Sequence, residues 1–355
     1  MTRWRMPAEW ERHDATWISW PHHESDWPRK LEAVRWVYSE ITRVLANHER
    51  VEILCQNEEV RDSAIGMLRA HNVVMQRVNL VLTPTDRVWL RDSGPSFVWN
   101  ARGEVEMIAW GFDAWAKYDN YARDRGVPDA IQRATGFPMT RAMRPDDARK
   151  RMILEGGGIE VNGQGRIIVT EEWLLSDVQV RNQGLTRSDY EEAFTQYLGC
   201  RDTIWLGNGC AGDDTHGHVD DVARFVNFDT VVMAYEADPC DANHASSLDN
   251  LQRLRLAAER QPLNVVLLPY PRPVVMDGQR LPASYANFYV ANGVVLVPTF
   301  NDANDRVALS IIASLFPERS VIGIHAVDLV WGLGTLHCLT QQQPTMALDS
   351  RRAGA

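Results

Sequence analysis

HGHVDDVARFV, residues 216–226, joins a polar hinge to a β-branched and aromatic run. The same join recurs along the chain. Comparable hinges are WLRDSGP at 89–95, ILEGGGIE at 153–160, YANFYV at 285–290 and GTLHCLT at 334–340. Strand-like runs follow the first four hinges: SFVWN, RIIVT, VARFV and VVLVPTF. Further short strands read as VEILC, TIWLG, NVVLLPY and SVIGIHA. Asp92, Glu155 and His218 hold equivalent hinge positions, 63 and again 63 residues apart, with Asn287 after 69 more and Cys338 after a further 51. Five units of similar size imply a circular arrangement in which each unit offers one polar residue to a common centre. One pseudo-symmetric α/β domain over 1–344 is therefore expected. The segment 345–355, TMALDSRRAGA, has no periodicity and is expected to be disordered.

Helices punctuate these units. In 31–48, Leu31, Val34, Val37, Ile41, Val44 and Leu45 share one face. SDYEEAFTQYLG carries Ser188 and Glu191 in capping-box spacing. Two more helices are predicted at 245–260 and 305–316.

Composition narrows the function. The chain has 355 residues, 45% apolar and 24% charged, ordinary values for a globular protein. A net charge of −10 offers no basic field for nucleic acid and favours a small cationic partner. The N-terminal MTRWRMPAEWERHD lacks an apolar secretory core, and no run is long enough to span a membrane. The five cysteines, Cys55, Cys200, Cys210, Cys240 and Cys338, are scattered without a C-x-x-C pair. That argues against a disulfide framework and fits a reducing cytoplasm. A homo-oligomer is compatible with the sequence.

Cys338 taken alone is more simply a buried structural thiol. Two neighbours favour reactivity: Gly332 and Gly334 let backbone come close to a ligand, and the following TQQQP is polar rather than a core strand. His337 would point to the opposite face of a strand, so a base must come from elsewhere. DDTHGHVDD, 213–221, supplies one. On a strand over 218–222, His218 and Asp220 face the same way. A His exchanges protons near neutral pH, and a carboxylate two residues on can orient it. A metal site built from His216, His218, Asp220 and Asp221 is the rival reading, and a solvated charged loop is the bland one. Asp92 reads as a turn cap or a ligand group. Glu155, before three glycines, reads as a hinge residue or a ligand to something small.

Two decoys are set aside. GNGCAG, 207–212, matches a dinucleotide fingerprint, but the polar DDTHGHVDD after it cannot open the required helix. PHHESD, 21–26, is a loop without a periodic partner. One thiol, one His and three carboxylates suit a guanidinium, which is planar, always charged and received bidentately by carboxylates. Trp89 can cover its face. A thiolate aimed at the central carbon, with His218 to protonate the departing nitrogen, would break a C–N bond with no cofactor.

The motifs MPAEWERHDATWISWP, VWLRDSGPSFV, FDAW, LEGGGIEVNGQG, GHVDDVARFV, YANFYVANGVVLVPTFND and HCLTQQQP cover nearly the whole chain. Together they resemble the agmatine deiminase family, related to bacterial-type peptidylarginine deiminases in the guanidino-modifying pentein superfamily. The resemblance implies a five-bladed α/β propeller and hydrolysis of agmatine to N-carbamoylputrescine and ammonia. It implies Cys338 as the nucleophile, through an amidino-cysteine intermediate, and His218 as general acid and base. Asp92 and Asp220 would grip the guanidinium, Glu155 would support His218, Trp89 would form an aromatic wall, and Asp214 would meet the substrate's far end. Three departures lie near that end: His216 where Asn or Asp is usual, FDAWAKY in place of Asn-Ala-Trp-Gly-Gly, and GLGT in place of an all-glycine run. Peptidyl-arginine, free arginine or another guanidine stays open as substrate. So does amidino transfer to an amine, and so does a metal-dependent hydrolase using His216, His218 and Asp220.

Overall fold

The computed structural model describes residues 3–347. The fold is mixed α/β and is built from small sheets rather than one large one. Five of the six sheets repeat a single pairing order: a first strand antiparallel to a second, and the second parallel to a third reached through a helix. Ser96–Asn100, Val105–Ala109 and Met139–Arg141 form one such set. Glu160–Val161, Arg166–Thr170 and Asp202–Leu206 form another. Ala223–Asn227, Thr230–Tyr235 and Asn264–Pro269 follow, then Tyr289–Ala291, Val294–Thr299 and Ser320–His325. The fifth set joins the two chain ends, pairing Gln341–Pro344 with His13–Ser19, which runs parallel to Arg50–Cys55.

The crossover helices are amphipathic, as their apolar spacing requires. Leu31–Leu45 buries Leu31, Val34, Tyr38, Ile41, Val44 and Leu45, while Trp36 stays exposed. Each buried aliphatic chain contributes roughly 1.5–3 kcal/mol of transfer free energy. The helices expected at 245–260 and 305–316 form as His244–Arg260 and Asn304–Leu315. The capping box falls two residues before the expected Ser188–Glu191 pair. Thr186 Oγ1 accepts from the Asp189 N–H, and Asp189 Oδ2 accepts from the Thr186 N–H at 2.7 Å. An Asp side chain thus does the work that was read into Glu191.

Two further expectations are corrected. TQQQP is too polar in composition to suggest a core strand, yet Gln341–Pro344 is a buried strand. Its amides are matched: Gln343 Oε1 accepts from the Trp17 indole at 2.9 Å, and Gln342 Oε1 from Arg91 at 2.7 Å. A buried polar side chain is tolerated when its hydrogen bonds are made. Of the segment expected to be disordered from 345, residues 345–347 are tied down. The Thr345 carbonyl accepts from the Trp99 indole and the Ala347 N–H donates to Gly103. The rest of it, 348–355, lies outside the described residues.

In each of the five sets the first strand is immediately preceded by a short turn carrying the hinge residue. Asp92 sits in the helical turn Leu90–Ser93, Glu155 caps 156–158, His218 caps Val219–Asp221, Asn287 precedes Tyr289, and Cys338 lies in Leu336–Leu339. The recurring turn is what delivers one polar side chain per unit to the same interior region.

Candidate active site

Cys338 is 8% exposed at the floor of a cavity of about 360 Å³, whose lining includes Trp89, Asp92, Trp115, Tyr118 and Asp214. That volume suits a small organic molecule. The Cys338 sulfur accepts from Asn287 Nδ2 at 3.1 Å and lies 3.5 Å from Asp220 Oδ2. Its turn is a single helical one, not the strand that sequence suggested, so His337 does not face away from the site. His337 Nδ1 lies 2.8 Å from Asp220 Oδ2 and Nε2 lies 2.8 Å from Glu9 Oε2.

His218 and Asp220 also reach the site by a different route from the one expected. Residues 219–221 form a 3₁₀ turn, with the strand starting only at Ala223. His218 caps that turn, with Nδ1 3.8 Å from Asp92 Oδ1 and Nε2 3.6 Å from Glu155 Oε2. Asp220, inside the turn, is fully buried, and its Oδ1 has no hydrogen-bond partner among the described residues.

The remaining carboxylates are fixed by donors from distant segments. Asp92 Oδ1 accepts from the Gly157 N–H and Oδ2 from the Trp115 indole, both at 2.9 Å. Glu155 Oε2 accepts from the Trp173 indole at 2.7 Å and Oε1 from Arg181 at 3.1 Å. Gly157 is required where it stands, because a Cβ there would sit 2.7 Å from His218 Nδ1 and 2.9 Å from Asp92 Oδ1. Gly334 admits the Trp89 ring. A Cβ there would meet that ring at 2.8 Å and the Cys338 Cβ at 3.0 Å. Gly332 and Gly334 therefore make room for aromatic side chains; a Cβ on Gly332 would meet the Trp27 indole.

Charge is strongly coupled here. Burial lifts the Asp92 carboxyl, His218 pulls it back, Asp220 and Glu155 push it up again, and it settles at about 6. Burial alone would lower His218, but the Asp92 and Glu155 carboxylates outweigh it and raise it to about 9. Burial would raise Glu155, yet Arg181 and His218 hold it at about 2. Asp220 resists the same burial through His337 and His218 and stays below its ordinary value. Burial, then Asp220, Asp221 and Asp92, push the Cys338 thiol well above its ordinary range. Burial and the surrounding carboxylates thus favour the neutral thiol at Cys338, while Asp92 and Glu155 favour the charged form of His218.

Asp92, Glu155, His218, Asp220 and Cys338 are brought together. Trp89 and Asp214 line the same cavity. Trp89 packs against Trp27 with ring centres 5.4 Å apart. Asp214 is held by the Tyr118 hydroxyl at 2.6 Å and by Lys117. His216 turns away, toward Ser176 at 3.0 Å and Glu172. The His216, His218 and Asp220 set is therefore not assembled, and among the described residues no group of three His, Cys, Asp or Glu side chains could hold a metal ion.

Several site residues were not picked out from sequence. The repeat marks Asn287 as a hinge without indicating a role for it. Its Nδ2 donates to both Cys338 and Asp221, and its Oδ1 accepts from Thr335 and the His337 N–H. The 69-residue step to it was the available signal. Glu9, Trp115 and His337 lie within motifs quoted above but carried no signal of their partners, and Arg181 lies outside them.

A family model described as Porphyromonas-type peptidyl-arginine deiminase matches residues 5–344. A curated agmatine deiminase of Pseudomonas aeruginosa (strain LESB58) is 32% identical over 366 residues, covering 96% of this chain and 95% of that protein. Among solved structures, the agmatine deiminase of Enterococcus faecalis superposes with a TM-score of 0.88 at 29% identity, over 97% of each chain. A Cys-to-Ser variant of the C. jejuni agmatine deiminase with substrate bound gives a TM-score of 0.84 at 25% identity, again over 97% of each chain.

Proposed function

The chain belongs to the Porphyromonas-type peptidyl-arginine deiminase family, and on that premise we propose that it hydrolyses the guanidine C–N bond of agmatine to give N-carbamoylputrescine and ammonia. The relatives named agmatine deiminase, full-length on both sides, support this choice of substrate. The observation that carries the chemistry is Asp220, whose Oδ2 lies 3.5 Å from the Cys338 sulfur and whose buried Oδ1 has no donor among the described residues. Leaving such an atom unsatisfied is costly, and a guanidinium N–H answers it.

Asp220 and Asp92 receive the guanidinium from two sides, with Trp89 along its face. Its positive charge offsets the carboxylates that keep Cys338 protonated, so the thiol releases its proton to solvent once substrate is bound and regains one from solvent when product leaves. The thiolate attacks the central carbon, giving a neutral tetrahedral centre. Protonated His218 passes its proton to one nitrogen, ammonia leaves, and a thiouronium on Cys338 remains. The now neutral His218 takes a proton from water as the oxygen adds. Collapse releases the ureido product and returns the thiolate, with the remaining proton going to ammonia. Glu155 supports the charged form of His218, and Asn287 and His337 position Cys338 and Asp220. The reaction calls for no cofactor.

The same reading places the five equivalent sheets as blades of a pseudo-symmetric propeller in one domain, with the five hinge turns at its centre. The shared pairing order and the meeting of all five hinge residues support it. No helix among the described residues is long and apolar enough to cross a membrane. All five cysteines are free thiols, which supports a cytoplasmic setting.

The test is a substrate panel of agmatine, free arginine and an arginine peptide, scoring ammonia and ureido product. Agmatine is expected to be turned over best. Turnover of arginine or its peptide with none of agmatine would reject the substrate; no turnover of any would reject the reaction.

A further inference from the structure

The segment 113–118 touches both ends of the cavity. At the reacting end, Trp115 donates from its indole to Asp92 Oδ2 at 2.9 Å. At the far end, Lys117 pairs with Asp214 Oδ1 and the Tyr118 hydroxyl donates to Asp214 Oδ2 at 2.6 Å. The backbone that does this is held in an unfavourable shape. Ala114, Trp115 and Ala116 are three consecutive non-glycine residues with left-handed φ of 51°, 62° and 52°. Such a run persists only where its surroundings dictate it. Gln179 Nε2 supplies part of that restraint, donating to the carbonyls of both Trp115 and Asp214 at 3.0 Å.

Two acid–base pairs stand at this end of the cavity, and they differ in accessibility. Asp26 pairs with Arg87 at 2.8 Å, their side chains 2% and 12% exposed, and Arg87 also lies over the Tyr118 ring. Lys117 is 42% exposed against 12% for Asp214. An exposed ion pair is weak, because water competes for both charges. Lys117, paired with the cavity-lining Asp214, is thus a cation that an incoming charge can displace, whereas Arg87 is locked in place.

Resting on the agmatine reading above, we propose that Lys117 is a specificity-determining residue, an internal stand-in for the substrate's ammonium tail. Its ammonium pairs with Asp214, and the tail of agmatine must take its place there. The enzyme therefore binds a cationic tail less tightly than an unopposed Asp214 would allow. A guanidine with an uncharged tail does not compete with Lys117.

The test compares KM for agmatine with KM for butylguanidine, which keeps the guanidine and four carbons but lacks the amine. In Lys117→Met, KM for agmatine relative to butylguanidine is expected to fall about two- to fivefold, the range set by an exposed ion pair. Lys117→Gln, polar and of similar length, should give the same fall, and Lys117→Arg should keep the wild-type ratio. The relative kcat of the two substrates should not move, since the reacting end is untouched. A ratio that is unchanged or rises in both Lys117→Met and Lys117→Gln would overturn the inference while leaving agmatine hydrolysis intact. A wild-type protein that turns over butylguanidine but no agmatine would overturn the reading on which it rests, and the inference with it.

Discussion

His337 Nδ1 lies 2.8 Å from Asp220 Oδ2, and that same oxygen lies 3.5 Å from the Cys338 sulfur. The other ring nitrogen of His337 lies 2.8 Å from Glu9 Oε2. Glu9 and Asp220 both sit below their ordinary carboxylate range despite burial. Each ring nitrogen of His337 thus lies at hydrogen-bond distance from a buried carboxylate. His337 therefore bridges two buried carboxylates and holds Asp220 beside the Cys338 sulfur.

Removing that bridge should leave two buried carboxylates short of a donor. His337→Ala is expected to destabilise the protein by about 3–5 kcal/mol, the cost of breaking a buried charge pair from one side. Denaturant unfolding measures it. A midpoint within error of wild type would show that neither carboxylate depends on His337.

Cys338→Ala should abolish turnover. Single replacements of Cys55, Cys200, Cys210 or Cys240 by Ala should leave activity, whatever they cost in stability. Mass spectrometry of quenched turnover should find an amidino adduct on the peptide containing residue 338. Chelator-sensitive activity that survived Cys338→Ala would point to a metal mechanism instead.

Asp92→Asn and Asp220→Asn each withdraw one charge from the proposed guanidinium clamp. At about 3–5 kcal/mol per broken buried pair, kcat/KM for agmatine should drop by roughly two to nearly four powers of ten. Near-normal kinetics in either variant would make that carboxylate a turn residue only.

His218 is raised to about 9 by Asp92 and Glu155, which outweigh its burial. A base whose folded value lies above its unfolded one stabilises the fold fully below about 6.5, and that contribution is lost as pH rises through about 9. NMR titration of His218 should therefore give a midpoint near 9. Glu155→Gln should lower that midpoint. A wild-type midpoint near the ordinary histidine value would mean that the carboxylates do not reach it.

Gly157→Ala places a methyl 2.7 Å from His218 Nδ1, 2.9 Å from Asp92 Oδ1 and 3.1 Å from Asp220 Oδ2. Overpacking of this kind typically costs about 1–3 kcal/mol. Activity should fall steeply while the circular dichroism spectrum is retained. Wild-type turnover in this variant would mean that the reacting groups do not converge at residue 157.

The periodic features of the chain were legible without coordinates. The hinge residues recur because each unit folds locally in the same way, with a short turn ahead of an apolar strand. That pattern is written in neighbouring residues, and it led to Asp92, Glu155, His218 and Cys338. Local geometry inside the hinges was less legible. Residues 218–222 and 336–339 carry apolar residues that suit strand and helical turn alike, so the strand assumption put His337 on the wrong face.

Sequence by itself determined the repeated units, the amphipathic faces of the crossover helices and the presence of a thiol, an imidazole and carboxylates at equivalent positions. Only the tertiary structure decided which polar groups pair. Gln343 becomes a core residue because the Trp17 indole, 326 positions away, meets its amide. His337 joins the site because Glu9, 328 positions away, holds its far nitrogen. Lys117 reaches Asp214 across 97 positions. Apolar burial is non-directional and leaves its period in the sequence, whereas a hydrogen bond needs one particular partner at one distance and angle, which the chain supplies only once it is folded.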